Sequence, residues 1–173
     1  MTGPSLDADE RRRFDAFFRR EYTRLVFFVA ACGYTAYAED ASGDAMRELL
    51  RKWKTVDSPV AWTRVVAVRY AQQALKRDRE RCGREDRYVQ LVSPTVDRLP
   101  EAIYEWTRAN KEIFDWIESL PPRRRQIVAL AFDGYGVKDI AALLAIKEST
   151  VRSHLRHARG SRPDFLSSER GAQ

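Results

Sequence analysis

The chain has 173 residues, with 31 lysines and arginines against 25 aspartates and glutamates, a formal net charge of +6 and 44% apolar residues. That apolar share supports a packed core and excludes wholesale disorder, while the basic excess favours a polyanionic partner such as nucleic acid. No apolar run approaches the roughly 20 residues that span a bilayer, and the polar start MTGPSLDADERRRF has no signal-peptide core, so a soluble, cytoplasmic protein with no membrane span is expected.

The first half reads as three helices. Phe14, Phe18, Tyr22, Leu25, Val29 and Cys32 recur at helical spacing, Phe17 and Val26 widen that face, and Gly33 supplies a stop. A second helix is expected from about Tyr37 to Trp53, with Met46, Leu49, Leu50 and Trp53 on one side and Gly43 weakening its interior. A third opens at DSPVAW, where Ser58 suits the cap and Pro59 the first helical position. Its face is read as Trp62, Val65, Val66, Tyr70 and Ala74. Periodicity fades after Gly83, and LVSPTVDRLP holds two prolines, so residues 84–104 read as a linker.

Helical spacing returns with Ile113, Trp116, Ile117 and Leu120. Pro121-Pro122 ends that helix and opens one carrying Ile127, Val128, Leu130, Ala131 and Phe132. DGYG is a turn, Ile140, Leu143 and Leu144 face the core from a short helix, and Val151, Leu155 and Ala158 do so from the last one. No segment alternates with period two, so no sheet is expected. The fold class is all-α. Its domains are expected at 1–83 and 105–162, joined by the linker at 84–104, with a flexible tail at 163–173.

On the last helix Val151 and Leu155 are four apart and face inward, which leaves Arg152, Ser153, Arg156 and Arg159 toward solvent. Ser149 and Thr150 fall in the first turn, where free amides can meet a phosphate. Arginine's planar fork matches the major-groove edge of guanine. A short helix, a turn and this basic helix together predict a DNA-reading helix-turn-helix.

SLPPRRRQIVALAFDGYGVKDIAALLAIKESTVRSHLRHAR resembles region four of bacterial sigma factors of the extracytoplasmic-function (ECF) group. Leu120-Pro121-Pro122, Ile140-Ala141, Ile146, Glu148, Thr150-Val151, Ser153, Leu155 and Ala158-Arg159 stand in register with that family. The resemblance implies that this domain reads the minus-thirty-five promoter element. It makes Ser149, Arg152, Ser153 and Arg156 base-reading candidates, and Thr150 and Arg159 phosphate contacts. Two departures stand out. Ala145 replaces the family's turn glycine, where a left-handed conformation costs about 1 kcal/mol. Lys147 replaces a serine that often caps the recognition helix. LuxR-type response regulators carry a similar segment, but the strand-helix alternation of their receiver domain is missing from the first half.

The first half resembles sigma region two through Ala38-Glu39-Asp40, Ala45, Trp53, Pro59, Ala61-Trp62, Val66-Ala67, Ala71 and Lys76-Arg77. The two resemblances come in the family's order and identify an actinobacterial-looking ECF sigma factor with a degenerate region two. Such a region holds the unpaired bases of the minus-ten element, a task suited to aromatic faces beside cations. The resemblance assigns the base-capturing loop to Lys54, Thr55, Asp57 and Ser58, and strand tracking to Arg64, Arg69, Gln73, Lys76 and Arg77. Trp62 and Tyr70 are the stacking candidates. Glu39, Asp40 and Asp44, with Arg47 and Arg51 nearby, are the candidates for gripping the polymerase. The departures here are Gly43-Asp44 for Gln-Glu, Val68-Arg69 for Arg-Asn, and a short loop.

The function so implied is promoter-specific initiation. The partners are core RNA polymerase, through its β′ clamp helices and β flap, and promoter DNA; the layout also admits an anti-sigma protein. The alternative is a helix-turn-helix regulator whose first half is an interaction domain. Cys32 and Cys82, even with His154 and His157, lack zinc-ligand spacing. No phosphate loop or nucleophile motif is present, so neither enzyme activity nor metal or cofactor is expected.

Overall fold

A computed structural model describes residues 6–82, 105, 108 and 111–161. Every regular element among them is helical, as the absence of period-two alternation predicts. Contacts divide the chain into two compact units, with the main boundary between Tyr104 and Glu105. The expected linker at 84–104 and tail at 163–173 lie outside the described residues.

In the first unit, α1 spans Ala8–Ala31. Its start is a reciprocal capping box. Asp7 Oδ1 accepts from the amides of Asp9 and Glu10, and Glu10 Oε2 accepts from the amide of Asp7, at 2.8–2.9 Å. These backbone donors, Glu10's first, hold the Asp7 carboxyl below its ordinary pKa. The helix ends where expected: Gly33 takes φ +82° and the amide of Tyr34 reaches back to the carbonyl of Val29. A 3-10 turn at Thr35–Tyr37 leads into α2 (Ala38–Lys52). The loop to α3 (Pro59–Cys82) follows.

The periodicity placed these helices and most of the core of α1 and α2 correctly, with Phe14, Phe17, Leu25, Val26, Val29, Met46 and Leu49 buried as expected, but it missed part of each face. On α1 Phe18 is 37% exposed, while Glu21 and Phe28 turn inward. On α2 Leu50 is exposed, and the core side is Ala38, Ala41, Ser42, Ala45, Met46 and Leu49. On α3 Trp62, Val65, Tyr70 and Ala74 are half-buried, and the fully buried side is Ala61, Thr63, Arg64, Val66, Ala67, Val68 and Ala71. Helices α2 and α3 pack on each other, and the small residues buried on both allow close approach. On α3 the aromatic residues Trp62 and Tyr70 mark the margin of the buried face rather than its centre.

The second unit contains α4 (Lys111–Ser119), α5 (Pro122–Phe132), α6 (Val137–Leu143) and α7 (Glu148–Gly160). Trp116, Ile117, Leu120, Val128 and Ala158 form one cluster, against which Ile113 and Leu155 pack. Ile127, Leu130, Ile140 and Val151 are fully buried. Phe132 is 63% exposed. Between α5 and α6, Gly134 adopts φ +93°, the amide of Tyr135 donates to the carbonyl of Leu130 and that of Gly134 to the carbonyl of Ala131. These satisfy carbonyls that the end of α5 would otherwise leave unpaired.

Candidate nucleic-acid interface

The helix-turn-helix consists of α6, a turn at 144–147 and α7. The turn uses the same terminating motif as α5: the amide of Ile146 donates to the carbonyl of Ala141 at 3.0 Å and that of Ala145 to the carbonyl of Ala142 at 3.3 Å. Its left-handed residue is Ala145, at φ +50°, the strain expected from replacing glycine. Arg123 of α5 donates from Nη2 to the carbonyl of Leu144 and from Nη1 to Gln126, both at 3.0 Å. Arg125 donates to the carbonyls of Leu120 and Glu118. Two arginines of the PPRRRQ run are thus committed to helix C-termini, a role the sequence reading did not assign.

Helix α7 begins at Lys147, an N-cap with extended backbone and no side-chain cap bond, as its replacement of serine implies. Val151 is buried and Leu155 half-buried. Ser149, Thr150, Arg152, Arg156 and Arg159 are exposed and Ser153 is half-buried. The six candidates therefore lie on one helix with solvent access. Arg152 Nη2 pairs with Glu148 Oε2 at 2.5 Å one turn earlier, so its guanidinium is already engaged within the helix. His154 is held below its ordinary pKa by burial, with Arg124, Arg123 and His157 adding to the effect.

In the first unit the strand candidates separate into two groups. Trp62, Arg69, Gln73 and Lys76 follow one another at helical spacing along one side of α3. Arg69, Gln73 and Lys76 are exposed, and Lys76 Nζ lies 3.8 Å from Glu80. Tyr70 and Arg77 instead line a groove of about 500 Å³ with Tyr22, Tyr37, Glu39, Asp40, Asp44 and Arg47. Residues assigned to polymerase binding and to strand tracking thus share one surface. Asp44 and Arg47 form an ion pair, and Arg51 is exposed. Gly43 opens this groove, because nothing stands within 4 Å of where its side chain would begin. Burial, with Glu39 and Asp40 nearby, raises the Tyr22 phenol's pKa.

Arg64 is a correction to the sequence reading. It is 2% exposed, its guanidinium lies 5.2 Å from the Phe28 ring centroid, and it pairs at 3.8 Å with Glu21, itself 4% exposed. A core arginine cannot track a strand, and its charge is compensated inside the unit. The loop candidates are more accessible. Lys54, Thr55, Asp57 and Ser58 are exposed. Lys54 Nζ nevertheless pairs at 2.8 Å with Glu10 Oε1, the free oxygen of the α1 capping box, and this raises its pKa. Thr55 Oγ1 donates to the carbonyl of Lys52.

One residue at this surface escaped the sequence reading. Glu48 of α2 accepts from Lys52 Nζ at 2.8 Å and from the Tyr70 hydroxyl at 2.7 Å, and Arg69 Nη2 lies 3.4 Å away. These partners, Lys52 first and Tyr70 second, hold the Glu48 carboxyl below its ordinary pKa. The bond to Glu48 is the main cause of the raised Tyr70 pKa. Lys52 Nζ also sits 5.5 Å from the Trp62 ring centroid and the Arg69 guanidinium 5.9 Å from that of Tyr70.

Two helical units, the second a helix-turn-helix with exposed arginines, make an arrangement suited to binding duplex DNA. Residues 111–161 match the family described as Sigma-70, region 4. The chain is 28% identical over 179 residues to the ECF RNA polymerase sigma factor SigK of Mycobacterium ulcerans, covering 91% of this chain and 94% of that one. It is 35% identical over 74 residues to the ECF sigma factor SigE of Mycolicibacterium smegmatis, covering 42% and 29%. Its fold matches the sigma factor RpoE in the complex with the anti-sigma factor NepR from Bartonella quintana, with a TM-score of 0.65 and 17% identity over 92% of this chain and 99% of that one. The second unit thus matches sigma-70 region 4, and the chain along nearly its whole length is similar to ECF sigma factors.

Proposed function

We propose that this chain is a sigma factor that binds core RNA polymerase and directs promoter-specific transcription initiation. The observation that carries this reading is the match along nearly the whole chain to an ECF sigma factor, with the region 4 match falling on the helix-turn-helix. On this reading α7 reads the minus-thirty-five element through Ser149, Arg152, Ser153 and Arg156, with Thr150 and Arg159 on phosphates. The exposed side of α3 and the 54–58 loop hold the melted minus-ten strand through Trp62, Arg69, Gln73 and Lys76, with Tyr70 and Arg77 at the edge of the adjoining groove. The acidic edge of α2, at Glu39, Asp40 and Asp44, with Arg47 and Arg51, meets the β′ clamp helices, while the second unit meets the β flap. The work is binding and positioning in the cytoplasm rather than catalysis. An anti-sigma protein is a natural regulator of such a layout, and the structurally similar RpoE is seen with one.

The test combines purified core polymerase with a promoter library. Asp40→Arg with Asp44→Arg reverses the charge of the α2 edge at positions outside the core. The double variant is expected to keep its circular dichroism spectrum and lose polymerase retention and initiation. Undiminished retention would overturn the clamp assignment, and no promoter-specific initiation by the unaltered chain would overturn the function.

A further inference from the structure

Two aromatic–cation pairs, Lys52 with Trp62 and Arg69 with Tyr70, meet at a single carboxylate. Glu48 is mostly covered, with its side chain 16% exposed, while those of Lys52 and Arg69 are 51% and 53% exposed. The cations are thus open to an incoming phosphate, and the acid that neutralises them is held beneath. Its partners come from α2 itself, one turn on, and from α3 across the helix pair. Two half-exposed ion pairs of this kind are weak enough to exchange. Strand phosphates release counterions when they bind and can displace such a carboxylate.

We propose that Glu48 is a specificity-determining residue for strand capture: an internal counter-ion that occupies Lys52 and Arg69 until a single-stranded polyanion displaces it. This rests on the reading that the exposed side of α3 takes an opened strand. Its consequence is selectivity. With both cations neutralised, an arbitrary strand gains little from phosphate contacts alone. Capture then depends on bases that also stack on the faces of Trp62 and Tyr70. Glu48 remains hydrogen-bonded to the Tyr70 hydroxyl throughout, so the aromatic side of the surface keeps its place while the cations exchange.

The experiment measures fluorescence anisotropy of a labelled twelve-nucleotide random-sequence single-stranded DNA with the full chain over a range of salt concentrations. Glu48→Gln removes the charge and keeps an oxygen acceptor for Tyr70. It is expected to tighten binding about fivefold at low salt, the order given by two released surface pairs. The salt slope is expected to steepen by up to about 1.4, two phosphates at about 0.7 each. In a Lys52→Ala/Arg69→Ala background the same substitution should do nothing. No tightening, or tightening that persists without the two cations, overturns the proposal while leaving the strand reading intact. If removing both cations costs the Glu48→Gln chain no affinity, the strand reading itself falls and the proposal with it. A second measurement needs no variant: the carbon-13 titration of the Glu48 carboxyl should move to higher pH when the DNA saturates the chain. An unmoved titration at saturation overturns the exchange.

Discussion

The amide of Ile146 donates to the carbonyl of Ala141 at 3.0 Å, closing the turn of the helix-turn-helix around Ala145. Ala145 is the one non-glycine residue with positive φ among the described residues. The related turns at Gly33 and Gly134 use glycine, which carries no Cβ penalty in this conformation. Ala145→Gly is therefore expected to stabilise the second unit by about 1 kcal/mol. Its transition in a calorimetric scan should rise by roughly 4–8 °C, as for a domain of this size. An unchanged or lower transition would mean that the turn has relaxed around the methyl group.

The N-cap offers an independent gain. Lys147 leaves the first amides of α7 without a side-chain acceptor. Lys147→Ser or Lys147→Asp should add about 1 kcal/mol in the same assay. Asp should exceed Ser at low salt because its charge also meets the positive end of the helix. A loss of stability with both would show that the lysine side chain contributes a contact worth more than the cap.

The buried pair of Glu21 and Arg64 predicts a large effect. Arg64→Met leaves Glu21 inside the first unit with only its surface partners Arg20 and Arg24. The expected cost is about 3 kcal/mol in urea unfolding. Glu21→Leu combined with Arg64→Met should cost less than the sum of the single changes, because no charge is then left unpaired. Unchanged stability with weakened single-strand binding would instead return Arg64 to the strand surface.

These cases show what the sequence made legible. Helical spacing located the described helices, and Gly33, Pro59, Pro121-Pro122 and the DGYG turn marked ends that the structure confirms. The strain at Ala145 and the missing cap at Lys147 were legible because both depend on local backbone. Burial was less so. Phe18 and Leu50 fitted an apolar stripe yet lie exposed, because a helix face is chosen by what packs against it. Arg64, Glu21 and Glu48 were misread or missed for one reason: each is defined by a partner on another helix, and one chain's spacing carries no record of that pairing.

The His154 ring gives a pH dependence. Burial first, and then Arg124, Arg123 and His157, lower its pKa from the ordinary 6.5. Between the lowered value and 6.5 the folded state binds fewer protons than the unfolded chain, so stability falls as pH is lowered through this window. Above about pH 7 both states are neutral and the dependence vanishes. Unfolding followed from pH 7.5 to 5 should show this decline in the second unit, and His154→Gln should remove His154's share of it. A decline of equal size in that variant would assign the effect to other groups.

The recognition helix carries the last prediction. Val151 anchors α7 from inside, and Arg152, Arg156 and Arg159 are exposed. If Arg152 and Arg156 read base edges, replacing either with alanine should cost roughly 1–3 kcal/mol at the preferred minus-thirty-five site and much less on random duplex. The net cost at Arg152 should lie toward the low end, because the unbound side chain gives up its ion pair with Glu148 to bind. Arg159→Ala, removing a phosphate contact, should weaken both duplexes alike and reduce the salt slope by about one. Competition binding at two salt concentrations separates these patterns. Equal losses on specific and random duplex for all three arginines would make α7 a basic surface only, and would move promoter selectivity to the exposed side of α3.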